Sequence, residues 1–213
     1  MTSQKMVLFA THNPAKIKRF LENVKLENCK LVSPQDLDLP KIDPEENGEN
    51  ELENAKIKAT AYFEIAKVPS ISLDTGFYVE GLEDNQQPGK HVQRIAGVLE
   101  TDSDEERFEK MSKYYADIAK KFGGTAEAYF KDVFCVYNGK QYFYAEARRV
   151  ALLTTKIYQK DVHFPIASVY KIPRLDNKYY HELNSEEMLE YIKPSILAVQ
   201  NVIMDNFGEV FMG

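Results

Sequence analysis

Apolar positions recur with different periods along this chain, and the changes of period divide it. Met6, Val7, Leu8, Phe9 and Ala10 are an unbroken apolar run, the pattern of a buried strand. Ile17, Phe20, Leu21 and Val24 then recur at helical spacing, so a helix starts near Pro14 or Ala15. Pro14 suits a first helical position because it has no N–H to lose there. Lys30 to Ser33 reads as a weak strand, and Pro34, Pro40 and Pro44 mark an irregular connection. A helix is predicted over 51–66, with Leu52, Ala55, Ala59, Tyr62, Phe63 and Ala66 on its apolar side and Asn50 and Glu53 as a capping pair. Ile71 to Asp74 reads as a short strand and Phe77 to Leu82 as another, with a loop over 84–90.

Ser103 then caps a long helix carrying Phe108, Met111, Tyr115, Ile118 and Phe122, which Gly123 and Gly124 end. From Glu127 to Leu153 the period is two, and Asn138-Gly139 between aromatic-rich runs signals a hairpin. Two helices are predicted at the C-terminal end. Ser185 caps one over 186–192, and Pro194 starts another over 195–207. This order gives an α/β fold with a mixed sheet and a prominent hairpin.

With 213 residues the chain can bury one substantial core, or two lobes sharing a sheet, and a single domain over 1–213 without a separable linker is expected. Hydrophobic residues at 44% and charged residues at 28% fit a soluble globular protein. A formal net charge of −6 argues against a broad nucleic-acid footprint, yet leaves room for a phosphate-bearing small molecule at a local cluster such as Lys16, Lys18 and Arg19. Cys29 and Cys135 are far apart and have no metal-ligand spacing, so a reducing cytoplasm is the simplest compartment. The run 6–10 is too short for a signal peptide, and no segment approaches a membrane span.

Three polar segments carry the chemistry. Thr11, His12 and Asn13, with Lys16 one turn in, lie where a strand gives way to a helix start, which attracts anions through free N–H groups and the dipole. An ordinary strand–helix turn with an Asn cap and a solvated Lys reads the same way. Glu46 through Ala55 turns at Asn47-Gly48 and crowds acids into a first helical turn, where they also simply offset the dipole. Ser72-Leu73-Asp74-Thr75-Gly76-Phe77 puts a carboxylate at a strand end, the position either of a catalytic acid or of an Asx-turn. Together they make a coherent triphosphate site. Lys16 supplies a cation, while Glu53 and Asp74 are candidates for Mg²⁺, which takes one or two carboxylates and completes its shell with water and phosphate oxygens. With neither Cys nor paired His at hand, Mg²⁺ or Mn²⁺ is favoured over zinc.

On these segments the chain resembles the inosine triphosphate pyrophosphatase family, also called Ham1-like or non-canonical purine NTP pyrophosphatases. Ala10-Thr11-His12-Asn13-Pro14-Ala15-Lys16 is similar to the family's opening phosphate loop. Glu46-Asn47-Gly48 through Glu53-Asn54-Ala55, with Lys58-Ala59, resembles its acidic helix start. Leu73-Asp74-Thr75-Gly76-Phe77 resembles its Asp-Asp-Ser-Gly-Leu segment, and Pro88-Gly89, Arg94-Ile95-Ala96-Gly97 and Phe134-Cys135-Val136 continue the match. The resemblance implies an elongated mixed β-sheet with flanking helices, two lobes around a nucleotide cleft, and a homodimer. It implies Mg²⁺-dependent hydrolysis of a nucleoside triphosphate to the monophosphate and pyrophosphate. Thr11, His12, Asn13, Lys16, Thr75 and Arg94 would hold phosphates. Glu53 and Asp74 would bind metal, and Asp74 would also help activate the attacking water.

The chain departs from the family at one acid of the carboxylate turn and where the base is read. Leu73 replaces the first acid of the pair, and Asp161-Val162-His163-Phe164-Pro165-Ile166 lacks the glycine of the Phe-Gly-Tyr-Asp-Pro segment. Met188 stands for a Lys, and Lys193-Pro194 for the His-Arg pair that reads the purine carbonyl. His163, Phe164 and Lys193 are the candidates for a different base pocket, and weak or altered preference for ITP or XTP over ATP is expected. The competing expectation is a degenerate family member that binds a nucleotide or a partner without turnover.

Overall fold

The computed structural model describes residues 4–92, 95 and 97–212. Seven strands form one sheet in the order β2-β1-β3-β4-β5-β6-β7. They are β1 (Lys5–Phe9), β2 (Cys29–Val32), β3 (Ser70–Val79), β4 (Thr125–Tyr137), β5 (Tyr142–Thr154), β6 (Tyr170–Ile172) and β7 (Lys178–Tyr179). The helices are α1 (Pro14–Asn23), α2 (Glu51–Ala66), α3 (Asp104–Lys121), α4 (Ser185–Met204) and the short α5 (Phe207–Val210). β1 runs parallel to β2 and β3, with Val7 opposite Leu31 and Leu8 opposite Ser70. β6 is antiparallel to both β5 and β7. The sheet is therefore mixed, with parallel pairing at the end built from strand–helix alternation.

By contacts the chain divides into two compact units, 1–75 with 132–147 and 194–213, and 76–131 with 148–193. In the first, Leu8, Ala10, Val32 and Tyr62 form a buried cluster that Leu37, Leu39 and Ile42 of the irregular connection cover. Phe20 of α1 bridges Phe9 and Phe134 at ring-centroid distances of 5.1 and 5.5 Å. The second is organised around Phe130, whose ring lies 4.7 Å from Phe77 and 5.4 Å from Tyr170. Cys29 and Cys135 are both free and buried. Burial pushes the Cys135 thiol up to about 12, so it acts as a small hydrophobe.

Local signals placed most helix ends. Asn13 caps α1, Asn50 caps α2, and Ser103 with Glu106 forms a capping box on α3. Gly123 and Gly124 end α3 at φ of +83° and +118°. The hairpin closes over residues 138–141, where the Asn138 side chain accepts from the N–H groups of Lys140 and Gln141, both at 2.9 Å.

Three expectations need correction. The strands read as 71–74 and 77–82 are one strand, β3, because Thr75-Gly76 stays extended and Phe77 exchanges two 2.9 Å hydrogen bonds with Gly89. Asp74 thus sits inside a strand rather than at its end. The two C-terminal helices are also one, with Pro194 inside α4. A proline cannot donate to the carbonyl four residues back. Arg174 supplies the missing donor, its Nη2 lying 2.5 Å from the Glu190 carbonyl and 2.8 Å from that of Tyr191. The start of this helix lies one residue earlier than read: Asn184 Oδ1 accepts from Glu187 N at 2.9 Å, and Glu187 Oε2 accepts from Asn184 N at 3.0 Å.

Candidate functional site

All of the site geometry described next lies within the first unit. At the start of α1, Pro14 brings no N–H, and Asn13 Oδ1 accepts from Ala15 N at 3.0 Å and Lys16 N at 3.1 Å. Ile17 N is already bonded to the Asn13 carbonyl at 3.0 Å. The first four helical positions therefore present no vacant N–H, and an anion arriving here meets side chains instead. Thr11 Oγ1 accepts from Asn13 N at 3.2 Å. His12 is turned toward the irregular connection, with Nε2 3.2 Å from the Pro40 carbonyl and Nδ1 3.4 Å from Gln35 Nε2.

Asn47-Gly48 folds the chain tightly over the start of α2. A Cβ on Gly48 would stand 2.6 Å from Glu53 Cβ, so only glycine allows this approach. Gly48 N donates to Asn54 Oδ1 at 2.9 Å, which fixes the amide with its Nδ2 toward Asp74 Oδ2 at 3.3 Å. Lys58, one turn further along α2, donates to Asp74 Oδ1 at 2.8 Å and to Glu46 Oε2 at 3.1 Å. Asn54 and Lys58 share a helix face because they are four residues apart. The Lys58 and Asp74 side chains are each only 13% exposed, so this pair is far better shielded than a surface ion pair. Glu53 is oriented locally: its Oε2 accepts from Glu49 N at 2.6 Å, and its own N–H bonds Asn50 Oδ1 at 3.0 Å.

Lys16 shares the electric field of this cluster. Burial lowers its pKa below the usual lysine value, and the like charge of Lys58 acts in the same direction. Asp132, Asp74 and Glu46 act against that, in decreasing order. An ammonium held against burial and a like charge gains from any polyphosphate that arrives. Lys16 and Asp74 are thus brought into one electrostatic neighbourhood, together with Lys58, Glu46 and Asp132. Thr75 joins through its hydroxyl, which donates to Asp132 Oδ1 at 2.9 Å.

Asn54, Lys58, Glu46 and Asp132 were not singled out from the sequence as site residues. Asn54 and Lys58 carried a readable signal, since their spacing puts them on one face of the helix that the acids open. Asp132 carried a fainter one, as the lone acid ahead of Val133, Phe134, Cys135 and Val136.

Asp74 and Glu46, bridged by Lys58, offer carboxylate oxygens of the kind a hard divalent cation takes, and Glu53 stands in the first turn of the same helix as Lys58. Among the described residues no three His, Cys, Asp or Glu side chains are grouped to hold an ion unaided. An ion held here would need phosphate oxygens and water to complete its shell.

The base-pocket candidates lie in the second unit. His163 is exposed, and its N–H and that of Phe164 are capped by Asp161 Oδ1 at 3.0 and 2.9 Å. The Phe164 ring packs 6.2 Å from Phe130 and 5.7 Å from Tyr180. Lys193 is exposed and pairs with Glu190 at 3.2 Å. Arg94 lies outside the described residues. Among the described residues no helix is long and apolar enough to cross a membrane.

Fold and site define an α/β protein with a mixed seven-stranded sheet and a shielded cluster of charged side chains where α2 packs beside β3. Residues 7–191 match the Ham1 family, and the chain belongs to it. Relatives include a dITP/XTP pyrophosphatase of Thermoanaerobacter pseudethanolicus, 37% identical over 208 residues that span 95% of this chain and 98% of the relative. Another, a dITP/XTP pyrophosphatase of Aquifex aeolicus, is 28% identical over 188 residues, covering 85% of this chain and 87% of its own. The fold is that of solved Ham1 proteins. The Staphylococcus aureus Ham1 protein superposes with a TM-score of 0.69 at 23% identity over 94% of this chain and 99% of its own. A HAM1 protein from Coxiella burnetii gives 0.71 at 19% identity, with the same coverages of 94% and 99%.

Proposed function

We propose that this chain is a Mg²⁺-dependent nucleoside triphosphate pyrophosphohydrolase, releasing the monophosphate and pyrophosphate, with Mn²⁺ able to substitute. The observation that carries this is the shielded cluster around Asp74, held by Lys58 at 2.8 Å and Asn54 at 3.3 Å, into whose field Lys16 comes from a distant segment. Phosphoryl transfer is catalysed chiefly by positioning and by neutralising charge on phosphate oxygens. Lys16 neutralises the polyphosphate, with Thr11, His12, Asn13, Thr75 and Arg94 around it. Asp74, aimed by Lys58 and Asn54, orients the attacking water and takes up its proton. Asp74 and Glu53 would hold Mg²⁺, which would withdraw charge from the phosphate oxygens. The protein acts as a cytoplasmic homodimer.

The names of the relatives point to dITP and XTP as substrates. The altered residues at His163, Phe164 and Lys193 leave purine selection weaker here, since discrimination by a 6-keto group depends on donors that meet it. Pyrophosphate release from dITP, XTP, dUTP and ATP, with Mg²⁺ and with EDTA, tests both statements. Metal-dependent release with less than about tenfold preference for dITP or XTP over ATP is expected. Strong preference overturns the selectivity reading. Asp74 already has Lys58 and Asn54 as partners, which favours a second reading, a nucleotide-binding protein without turnover. Binding of all four nucleotides with no pyrophosphate release would establish that reading instead.

A further inference from the structure

Asp132 is an acid where the sequence calls for an apolar residue. It opens the buried stretch Val133–Val136 of β4 and is itself only 2% exposed. A carboxylate in such a place is costly unless its oxygens are bonded. Thr75 Oγ1 donates to Oδ1 at 2.9 Å, and Ser195 Oγ from α4 donates to Oδ2 at 2.6 Å. The consequence falls on Thr75, beside Asp74. A hydroxyl has one O–H to donate, and Thr75 donates it to Asp132. While that bond is made, its oxygen has acceptor capacity alone. A phosphate oxygen is also an acceptor, so the hydroxyl has no donor left for one.

We propose that Asp132 is a positioning residue: by accepting the Thr75 hydrogen bond it commits Thr75 to a cation beside the polyphosphate rather than to the phosphate itself. The inference rests on the reading of this cluster as a triphosphate site. Two cations are available, the Lys16 ammonium and the divalent metal ion. Lys16 lies in the field of Asp132, the foremost of the acids that favour its charged form. Ser195 braces the far oxygen of Asp132, so the carboxylate cannot rotate away from Thr75 without losing a short hydrogen bond.

The test measures binding of a non-hydrolysable triphosphate analogue by calorimetry, with Mg²⁺ and with EDTA. Mn²⁺ binding to the analogue complex is followed by electron paramagnetic resonance. The wild type is compared with Thr75→Val, Thr75→Ser, Asp132→Asn and the Thr75→Val/Asp132→Asn double variant, each checked for a cooperative melt. Thr75→Val and Asp132→Asn should each weaken the analogue at least tenfold. The double variant should be no worse than the weaker single, since both act in one chain. Thr75→Ser should stay within threefold of the wild type. Weakening confined to Mg²⁺, with Mn²⁺ affinity falling alongside, assigns the metal ion as the cation; equal weakening in EDTA assigns Lys16. Additive losses in the double variant, or wild-type binding by Thr75→Val, overturn the proposal. Should Asp132→Asn fail to fold, the Val and Ser replacements at Thr75 decide it alone. A wild type that binds no analogue refutes the triphosphate reading, a result distinct from any variant pattern.

Discussion

Replacing Asp74 by Asn removes one of two acceptors that two fixed donors need. Lys58 Nζ points at Oδ1 from 2.8 Å and Asn54 Nδ2 at Oδ2 from 3.3 Å. An amide has one oxygen and one NH₂, so either orientation sets a donor against a donor. Asn54 cannot flip to accommodate it without giving up the 2.9 Å bond from Gly48 N to its Oδ1. A hydrogen bond to a charged partner is worth about 1.5–3 kcal/mol, and a side chain only 13% exposed leaves little water to replace it. The variant should lose about 2–3 kcal/mol, which for a chain of this size lowers Tm by roughly 4–12 °C. Urea unfolding gives the free energy, and a pyrophosphate assay gives turnover, which should fall at least about 100-fold. In a Lys58→Met background the same substitution should cost less than half as much, because one of the two donors has gone. Stability within about 0.5 kcal/mol of wild type, the range of ordinary surface changes, would refute the reasoning.

Lys58→Met should cost about 3 kcal/mol by leaving Asp74 and Glu46 opposed without a cation; added Mg²⁺ should raise its Tm more than it raises that of the wild type. Lys16→Met should stabilise the ligand-free protein while lowering turnover at least about 100-fold. Folding lowers the Lys16 pKa, so the unfolded chain holds that proton more tightly and wild-type stability rises with pH from the lowered value up to the ordinary lysine value of 10.5. The Met variant should lack this rise, which urea titrations between pH 7 and about 10 would detect. Gly48→Ala should cost about 1–3 kcal/mol, since its Cβ meets Glu53 Cβ at 2.6 Å and breaks the bond that aims Asn54. Turnover should fall with it, and an unaltered melt would contradict that geometry.

The parts of the fold that declared themselves in the sequence are those governed by neighbours in the chain. Asn13, Asn50 and Ser103 cap the helices they precede, because a cap is settled within three residues. The misread parts depend on distant partners. Pro194 looks like a helix boundary until Arg174 takes up the carbonyl it leaves unpaired. Thr75-Gly76 looks like a turn until Phe77 pairs with Gly89. The same division runs through the site. The segment holding Lys16 was visible as polar residues at a helix start, and the one holding Asp74 as a polar break in an apolar run, although that break lies inside β3. The Asn13 cap was legible as one of two readings, but the sequence could not choose between them, because Asn serves equally well as a cap and as a phosphate ligand. The role of Asn54 and Lys58 was not visible, because its meaning depends on β3 passing beside their face of α2.

The central claim is that Lys16 and Asp74 act on the same polyphosphate. Phosphorus NMR of a nucleoside triphosphate incubated with Mg²⁺ and protein tests it most directly. Wild type should convert the triphosphate signals to those of monophosphate and pyrophosphate, and Lys16→Met and Asp74→Asn should both leave them unchanged. Release of orthophosphate and a diphosphate, or conversion by Lys16→Met at the wild-type rate, would contradict it.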